Sequence, residues 1–226
     1  MSLEIRSADN RADLKRWVAF PLDHYAGHPA HVPQILREEF SYVDRTKNPA
    51  FEVCDVRFLL AEDRGRVLGR VCAIVNRLET EKLGHTRGRL GWFESIDDPE
   101  VATGLFDTAR DWLAARGCAE LTGPHGFGDL DPEGLLIDGF DAIPTISGCY
   151  NYPYYERLFE DYGMVKDIDY LETRFEVPDK STFLDRMAKR NDVEGGFTVH
   201  TCRNRRELKA RVADVWPVLE AAFAPL

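Results

Sequence analysis

The chain has 226 residues, enough for one large domain or for one domain and the opening of a second. With 44% hydrophobic and 30% charged residues it is not a disordered composition, and no apolar run approaches the roughly 18 residues that a membrane span needs. The formal charge of −10 argues against nucleic-acid or anionic-membrane partners, because the basic run Lys189-Arg190 and Arg203 to Arg211 is broken up by Asp192, Glu194 and Glu207.

In chain order, residues 3–6 form a short strand, and Asp9 caps a helix reaching Tyr25. Leu14, Trp17, Val18 and Leu22 recur there at helical spacing, with Pro21 expected to break or kink it. A second helix is expected over Val32–Val43, and Asn48-Pro49 marks a turn. Val53–Ala61 and Val67–Val75 read as two strands of a hairpin closed by Asp63-Arg64-Gly65. Arg89–Glu94 is a further strand. Asp97 or Asp98 then caps a strong helix that runs from Pro99 to Arg116 and stops at Gly117. Ala119–Thr122 is a strand, and a long Gly-, Asp- and Pro-rich loop fills 123–150. A short helix at Pro153–Tyr162 and a long strand at Ile168–Val177 follow. The end of the chain reads as a helix at Ser181–Lys189, a strand near Phe197–Thr201 and a helix at Arg205–Phe223.

This order gives a mixed α+β layered fold with a mostly antiparallel central sheet. The five cysteines (Cys54, Cys72, Cys118, Cys149 and Cys202) are odd in number, widely spaced and without a CxxC pair. They read as reduced thiols of a cytoplasmic protein. His24, His28 and His31 have no acidic or cysteine partners at ligand spacing, so no metal site is expected.

Several stretches carry a family resemblance. They are Asn48-Pro49-Ala50-Phe51-Glu52, Gly65-Arg66-Val67-Leu68-Gly69-Arg70 and Phe93-Glu94-Ser95-Ile96-Asp97-Asp98. Further along come 134–141 and Tyr150-Asn151-Tyr152-Pro153-Tyr154-Tyr155. With the element order, they resemble the degenerate N-terminal domain of a two-domain bacterial family related to the GNAT (acyl-CoA N-acyltransferase) superfamily. The resemblance covers roughly residues 10–222. It implies a GNAT-like N-terminal domain over 1–178. Residues 179–226 would then be a linker with the first strand and helix of a second, truncated GNAT domain. It also implies acetyl-CoA as the cofactor of the intact protein, and a second GNAT domain or a homo-oligomer partner.

The family's phosphate motif is a basic residue or Gln, two residues, Gly, one residue, then Gly or Ala, placed at a helix N-terminus where backbone N–H groups meet the pyrophosphate. Here Asp97, Asp98 and Glu100 stand in that position, and Pro99 removes a donor. A carboxylate about 5 Å from a phosphate charge costs on the order of 3 kcal/mol at an effective dielectric near 20. No cofactor is therefore expected in this chain. The Tyr that many GNAT enzymes place four residues before a Gly-Phe pair is replaced by Phe159 before Gly163-Met164, and Tyr155 and Tyr162 fall out of register with it.

The chain is thus expected to be the non-catalytic N-terminal part of an N-acyltransferase. The alternative is a degenerate module that binds a small ligand or a protein. Candidate pocket or interface residues are Trp92, Glu94, His125, Asp129, Asn151, Tyr152 and Tyr155. A third idea, a hydrolase using His125 with Asp129, lacks any nucleophile elbow.

Overall fold

The structure is a computed structural model that describes residues 2–128, 130–145, 148–176, 182–194 and 200–223. It divides into two compact units, Met1–Tyr170 and Leu171–Leu226. The first contains strands β1 (Leu3–Ser7), β2 (Cys54–Asp63), β3 (Arg66–Asn76), β4 (Arg87–Ser95) and β5 (Glu120–Thr122). Its helices are α1 (Arg11–His24), α2 (Leu36–Tyr42), α3 (Arg77–Leu83), α4 (Pro99–Ala114) and α5 (Tyr154–Asp161). The second contains α6 (Thr182–Glu194) and α7 (Arg205–Phe223).

The sheet order is β1-β2-β3-β4-β5. The first four strands are antiparallel, and β5 joins β4 in parallel after the α4 crossover. The hairpin β2–β3 closes through Arg64 and Gly65, both at positive φ (48° and 83°), as a tight two-residue turn requires. Both hairpin strands are apolar almost throughout because the sheet is covered on both faces. Leu59, Ala61, Val71, Ala73 and Val75 pack with Leu105, Phe106, Ala109 and Leu113 of α4. The alternate residues Phe58, Leu60, Cys72 and Ile74 pack with Trp17 and Val18 of α1. This period of two is the pleat read from both sides.

Several sequence expectations are corrected. Asn10, one residue after Asp9, caps α1, its side chain accepting the N–H groups of Ala12 and Asp13 at 2.9 and 3.0 Å. Pro21 does not end α1 but lies inside it. The second helix is shorter than Val32–Val43 and has no buried residue. Asn48-Pro49 opens a 3-10 turn, Pro49–Glu52. Helix α3, absent from the sequence reading, is capped by the Asn76 side chain and ends at Gly84, at φ 74°. No strand forms over residues 168–176, whose apolar members Ile168, Leu171 and Phe175 are exposed. Strand propensity needs a partner ladder to become structure, and this segment has none among the described residues. Val177 lies outside the described residues. So does most of the strand expected at Phe197–Thr201, of which His200 and Thr201 are not strand.

Candidate functional site

The site begins with a helix defect. Pro21 has no N–H, so inside α1 it leaves the carbonyl of Trp17 without its usual donor four residues on. Arg70 of β3 fills the gap: its Nη1 donates to that carbonyl at 3.0 Å, and its guanidinium lies 4.4 Å from the Trp17 ring centre. Arg70 is fully buried, yet its Nε and Nη2 have no hydrogen-bond acceptor. Each such buried donor costs about 1–3 kcal/mol. Burial pushes the guanidinium pKa down, and Glu94 and Glu39 oppose that.

Arg70 stands directly across the β3–β4 ladder from Glu94, and Cys72 stands across from Gly91. Trp92 and Phe93 therefore oppose Val71 alone. This is a β-bulge, and it holds Trp92 at φ 50°, in the left-handed region that side chains rarely adopt. The bulge sets the direction of Glu94. Its Oε1 is 3.8 Å from Arg70 Nη2, an ion pair too long for a hydrogen bond.

Glu94 Oε2 instead accepts from two tyrosine hydroxyls, Tyr25 at the end of α1 and Tyr155 of α5, the latter at 2.7 Å. Tyr155 Oη also accepts the Ser95 N–H at 3.1 Å. Each hydroxyl has one proton. The Tyr25 hydroxyl also lies 3.0 Å from that of Tyr155, and His24 Nε2 lies 3.0 Å from Tyr155 Oη, so the four groups form one hydrogen-bonded network. Burial, followed by Arg70 and then His31, pushes the His24 pKa down to about 4, so the ring is neutral at pH 7. Burial raises the Glu94 pKa, while Arg70, Tyr25 and Tyr155 lower it. Burial and the neighbouring carboxylate hold both tyrosines well above their ordinary range.

The structure brings three of the sequence-derived candidates to this place. Glu94 and Tyr155 are bonded, and Tyr152 donates to the His24 carbonyl at 3.1 Å with its ring 4.9 Å from that of Tyr25. Trp92 packs instead among Trp17, Phe127 and Tyr42. Asn151 is buried and structural: its amide exchanges two hydrogen bonds with the Leu136 backbone, at 2.7 and 3.1 Å. His125 Nε2 lies 2.9 Å from Arg89 Nη1, which makes it an acceptor. Arg89 is itself held by Glu79 at 2.8 Å, so His125 ties the glycine-rich loop to the sheet. Asp129, its expected partner, lies outside the described residues.

Sequence reading missed His24, Tyr25, Glu39 and Arg70 as site residues. Two signals for them were present: a proline inside an otherwise periodic helix, and an arginine inside an apolar strand run. No cluster of three or more His, Cys, Asp or Glu able to hold a metal occurs among the described residues. No described helix is long and apolar enough to cross a membrane.

The residues at the start of α4 do not fit a CoA pyrophosphate. Asp98 Oδ1 accepts the Glu100 N–H at 2.9 Å, Pro99 has no N–H to offer, and Asp97 is paired with Arg157. One backbone donor of the first turn is thus met by a side-chain carboxylate and another is missing, and the carboxylates carry the wrong charge for a phosphate.

No family model matches the chain. It is 30% identical over 219 residues to Protein YghO of Escherichia coli (strain K12), covering 97% of this chain and 55% of that protein. It is 32% identical over 159 residues to the bacterial ceramide synthase of Caulobacter vibrioides, covering 70% of this chain and 41% of that protein. The chain thus spans about half the length of these curated relatives, or less. Among solved structures, a ribosomal-protein-alanine N-acetyltransferase from Brucella melitensis superposes with a TM-score of 0.44 at 15% identity, over 77% of this chain and all of that one. The order of strands and helices, the antiparallel run β1 to β4 and the parallel β5 reached through α4 give this chain the GNAT-type acyl-CoA N-acyltransferase fold.

Proposed function

We propose that this chain is the N-terminal part of an N-acyltransferase, that it does not itself bind acyl-CoA, and that the acceptor of the whole protein is a long-chain amine. The observation that carries the reading is the start of α4, where Asp98 occupies the Glu100 N–H and Pro99 offers none, leaving a pyrophosphate fewer donors and a negative neighbour. A transferase built on this fold must then hold its thioester elsewhere, in a second domain that begins within residues 179–226. The exposed apolar side chains Leu208, Val212, Trp216, Leu219 and Phe223, spaced at helical intervals along α7, suit a helix that packs against further chain. The amine acceptor comes from the likeness to a ceramide synthase, whose name denotes a product acylated on nitrogen. Five cysteines, odd in number, widely spaced and without a CxxC pair, suit work in the reducing cytoplasm, where CoA thioesters are made.

The second reading is a ligand-binding or protein-interaction module with no activity in either form of the protein. It is favoured by the same three acids, Asp97, Asp98 and Glu100.

The test is calorimetric titration of acetyl-CoA and palmitoyl-CoA into this chain and into the longer gene product at low salt, with an acylation assay on a long-chain amine beside it. The expected result is no heat with the chain, and binding with acyl transfer in the longer protein. Binding of acyl-CoA to the chain overturns the reading of α4. Binding without transfer to any amine in the longer protein hands the case to the second reading.

A further inference from the structure

A cavity of about 310 Å³ opens where the end of α2 meets the glycine-rich loop. That volume is at the lower end of the range for small-molecule sites. Tyr42 comes from α2, Lys47 and Pro49 from the turn that precedes β2, and Phe127 and Asp131 from the loop. None of these residues belongs to the polar cluster around Glu94 or to the start of α4.

The walls are built from groups that already have partners. The Asn48 side chain donates to the Tyr42 carbonyl at 2.9 Å and accepts the Ala50 N–H at 3.0 Å, which ties the turn to α2. Phe127 is buried, its ring 5.4 Å from that of Phe51 and 5.0 Å from that of Trp92, and its carbonyl accepts from Asn76 at 3.0 Å. Asp131 is gripped by its own loop. Its Oδ2 accepts the Gly128 N–H at 3.0 Å. A Cβ on Gly126 would come within 2.2 Å of the Asp131 Cβ, so glycine is what lets the loop close this tightly.

Two charges at the cavity keep unused capacity. A carboxylate can accept several hydrogen bonds, and no cation is paired with Asp131 among the described residues. Burial, followed by Asp131, raises the pKa of the Tyr42 hydroxyl, which stays protonated beside that carboxylate. The Lys47 ammonium meets Asp44 at 3.0 Å in an exposed pair and has further N–H donors to give. Asp44 does not depend on it, since the Thr46 N–H and hydroxyl also reach Asp44, at 3.0 and 2.7 Å. One charge of each sign therefore faces the same cavity. A ligand with a single charge meets a like charge there, whereas one with both finds an opposite partner at each end. Pro49 and Phe127 add an apolar side.

We propose that this cavity binds a free α-amino acid with an apolar side chain: the ammonium on Asp131, the carboxylate on Lys47, and the side chain against Phe127 and Pro49. The proposal does not rest on the transferase reading, and the site lies wholly within this chain.

The test titrates the chain with L-leucine, with isoamylamine, which lacks the carboxylate, and with 4-methylpentanoate, which lacks the amine. Binding is followed by calorimetry and located by the amide signals of Ala50 and Gly128. Leucine is expected to bind about tenfold or more tighter than either analogue, the effect of one charge-assisted hydrogen bond. Glycine should also bind about tenfold weaker, because it has no side chain to place on Phe127. Lys47→Met should lower leucine to the level of isoamylamine without weakening the amine. Asp131→Asn, which can still accept the Gly128 N–H, should lower leucine to the level of 4-methylpentanoate. Lys47 is exposed, so its variant keeps the fold and serves if the Asp131 variant does not. Absence of leucine binding at millimolar concentration overturns the proposal. So does equal binding of isoamylamine, which would mark a plain cation site, or leucine binding that survives the Lys47 substitution.

Discussion

Pro21 and Arg70 are coupled through one carbonyl oxygen, that of Trp17, and much of the candidate site follows from that coupling. A helix proline removes a donor, and a strand arginine is drawn in to replace it, at the cost of leaving two of its own nitrogens unpartnered. Tyr155 is the other residue on which the arrangement turns, since its hydroxyl meets Glu94, Ser95 and His24. Tyr155→Phe keeps the ring packing and deletes these bonds. It should lower the unfolding free energy by about 1–3 kcal/mol in urea titrations. A loss below about 0.5 kcal/mol would mean that the hydroxyl is not a fixed part of the network.

His24 gives a pH dependence whose sign can be worked out. Its folded pKa of about 4 lies below the unfolded value of 6.5. Between those values the unfolded chain holds more protons. The stabilising contribution is therefore complete above pH 6.5 and lost as pH falls towards 4, by at most about 3 kcal/mol. Glu94 acts in the opposite sense, its contribution being lost as pH rises through its raised folded pKa. Urea titrations at pH 7 and pH 4.5 should show a smaller acid loss in His24→Gln, which keeps a hydrogen-bonding group near Nε2, than in the unaltered protein. Equal losses would place the acid sensitivity on other groups.

At the scale of elements, the β4 bulge controls both faces of the strand. It turns Trp92 into the α1 side of the core and leaves Glu94 opposite Arg70. Gly91, at the start of the bulge, lies under the loop that follows β5. A Cβ added there would come within 2.8 Å of the His125 carbonyl oxygen. Gly91→Ala should therefore displace the 123–128 loop and cost about 1–3 kcal/mol, seen as a lowered Tm together with changed amide signals at His125 and Gly126. An unchanged Tm would show that the loop yields freely. The elements legible in the sequence were those with strong local signals: α4 with its Asp98 cap and Gly117 stop, and the β2–β3 hairpin with its Arg64-Gly65 turn. Helix α3 escaped notice because seven residues carry too little periodicity, although its Asn76 cap and Gly84 stop were there to be read. Residues 168–176 differ in the other sense: their β-formers favour a strand locally, but no partner ladder meets them among the described residues.

At the scale of the molecule, the described residues of the two main core clusters belong to the unit Met1–Tyr170. Met164 and Tyr162, near the end of that unit, pack on the α4 side of the core. A fragment of residues 1–170 should therefore unfold in one cooperative transition by calorimetry and near-ultraviolet dichroism. A fragment without near-ultraviolet signal would show that its core depends on residues further along the chain.

The sequence by itself determined the layered α+β fold, most of its elements and the Asp98 cap of α4, because caps, turn residues and periodicity act within a few positions of one another. Two of the residues it put forward, Glu94 and Tyr155, belong to the polar cluster. It could not show that His24, Tyr25, Glu39 and Arg70 join them. Those side chains come from α1, α2 and β3 and meet β4 and α5 only through the packing of two layers and the register of a bulged ladder, across separations of up to 131 residues. Which polar groups meet, and which of them is left with an unsatisfied edge, is a property of the packed interior, where desolvation makes each missing partner matter.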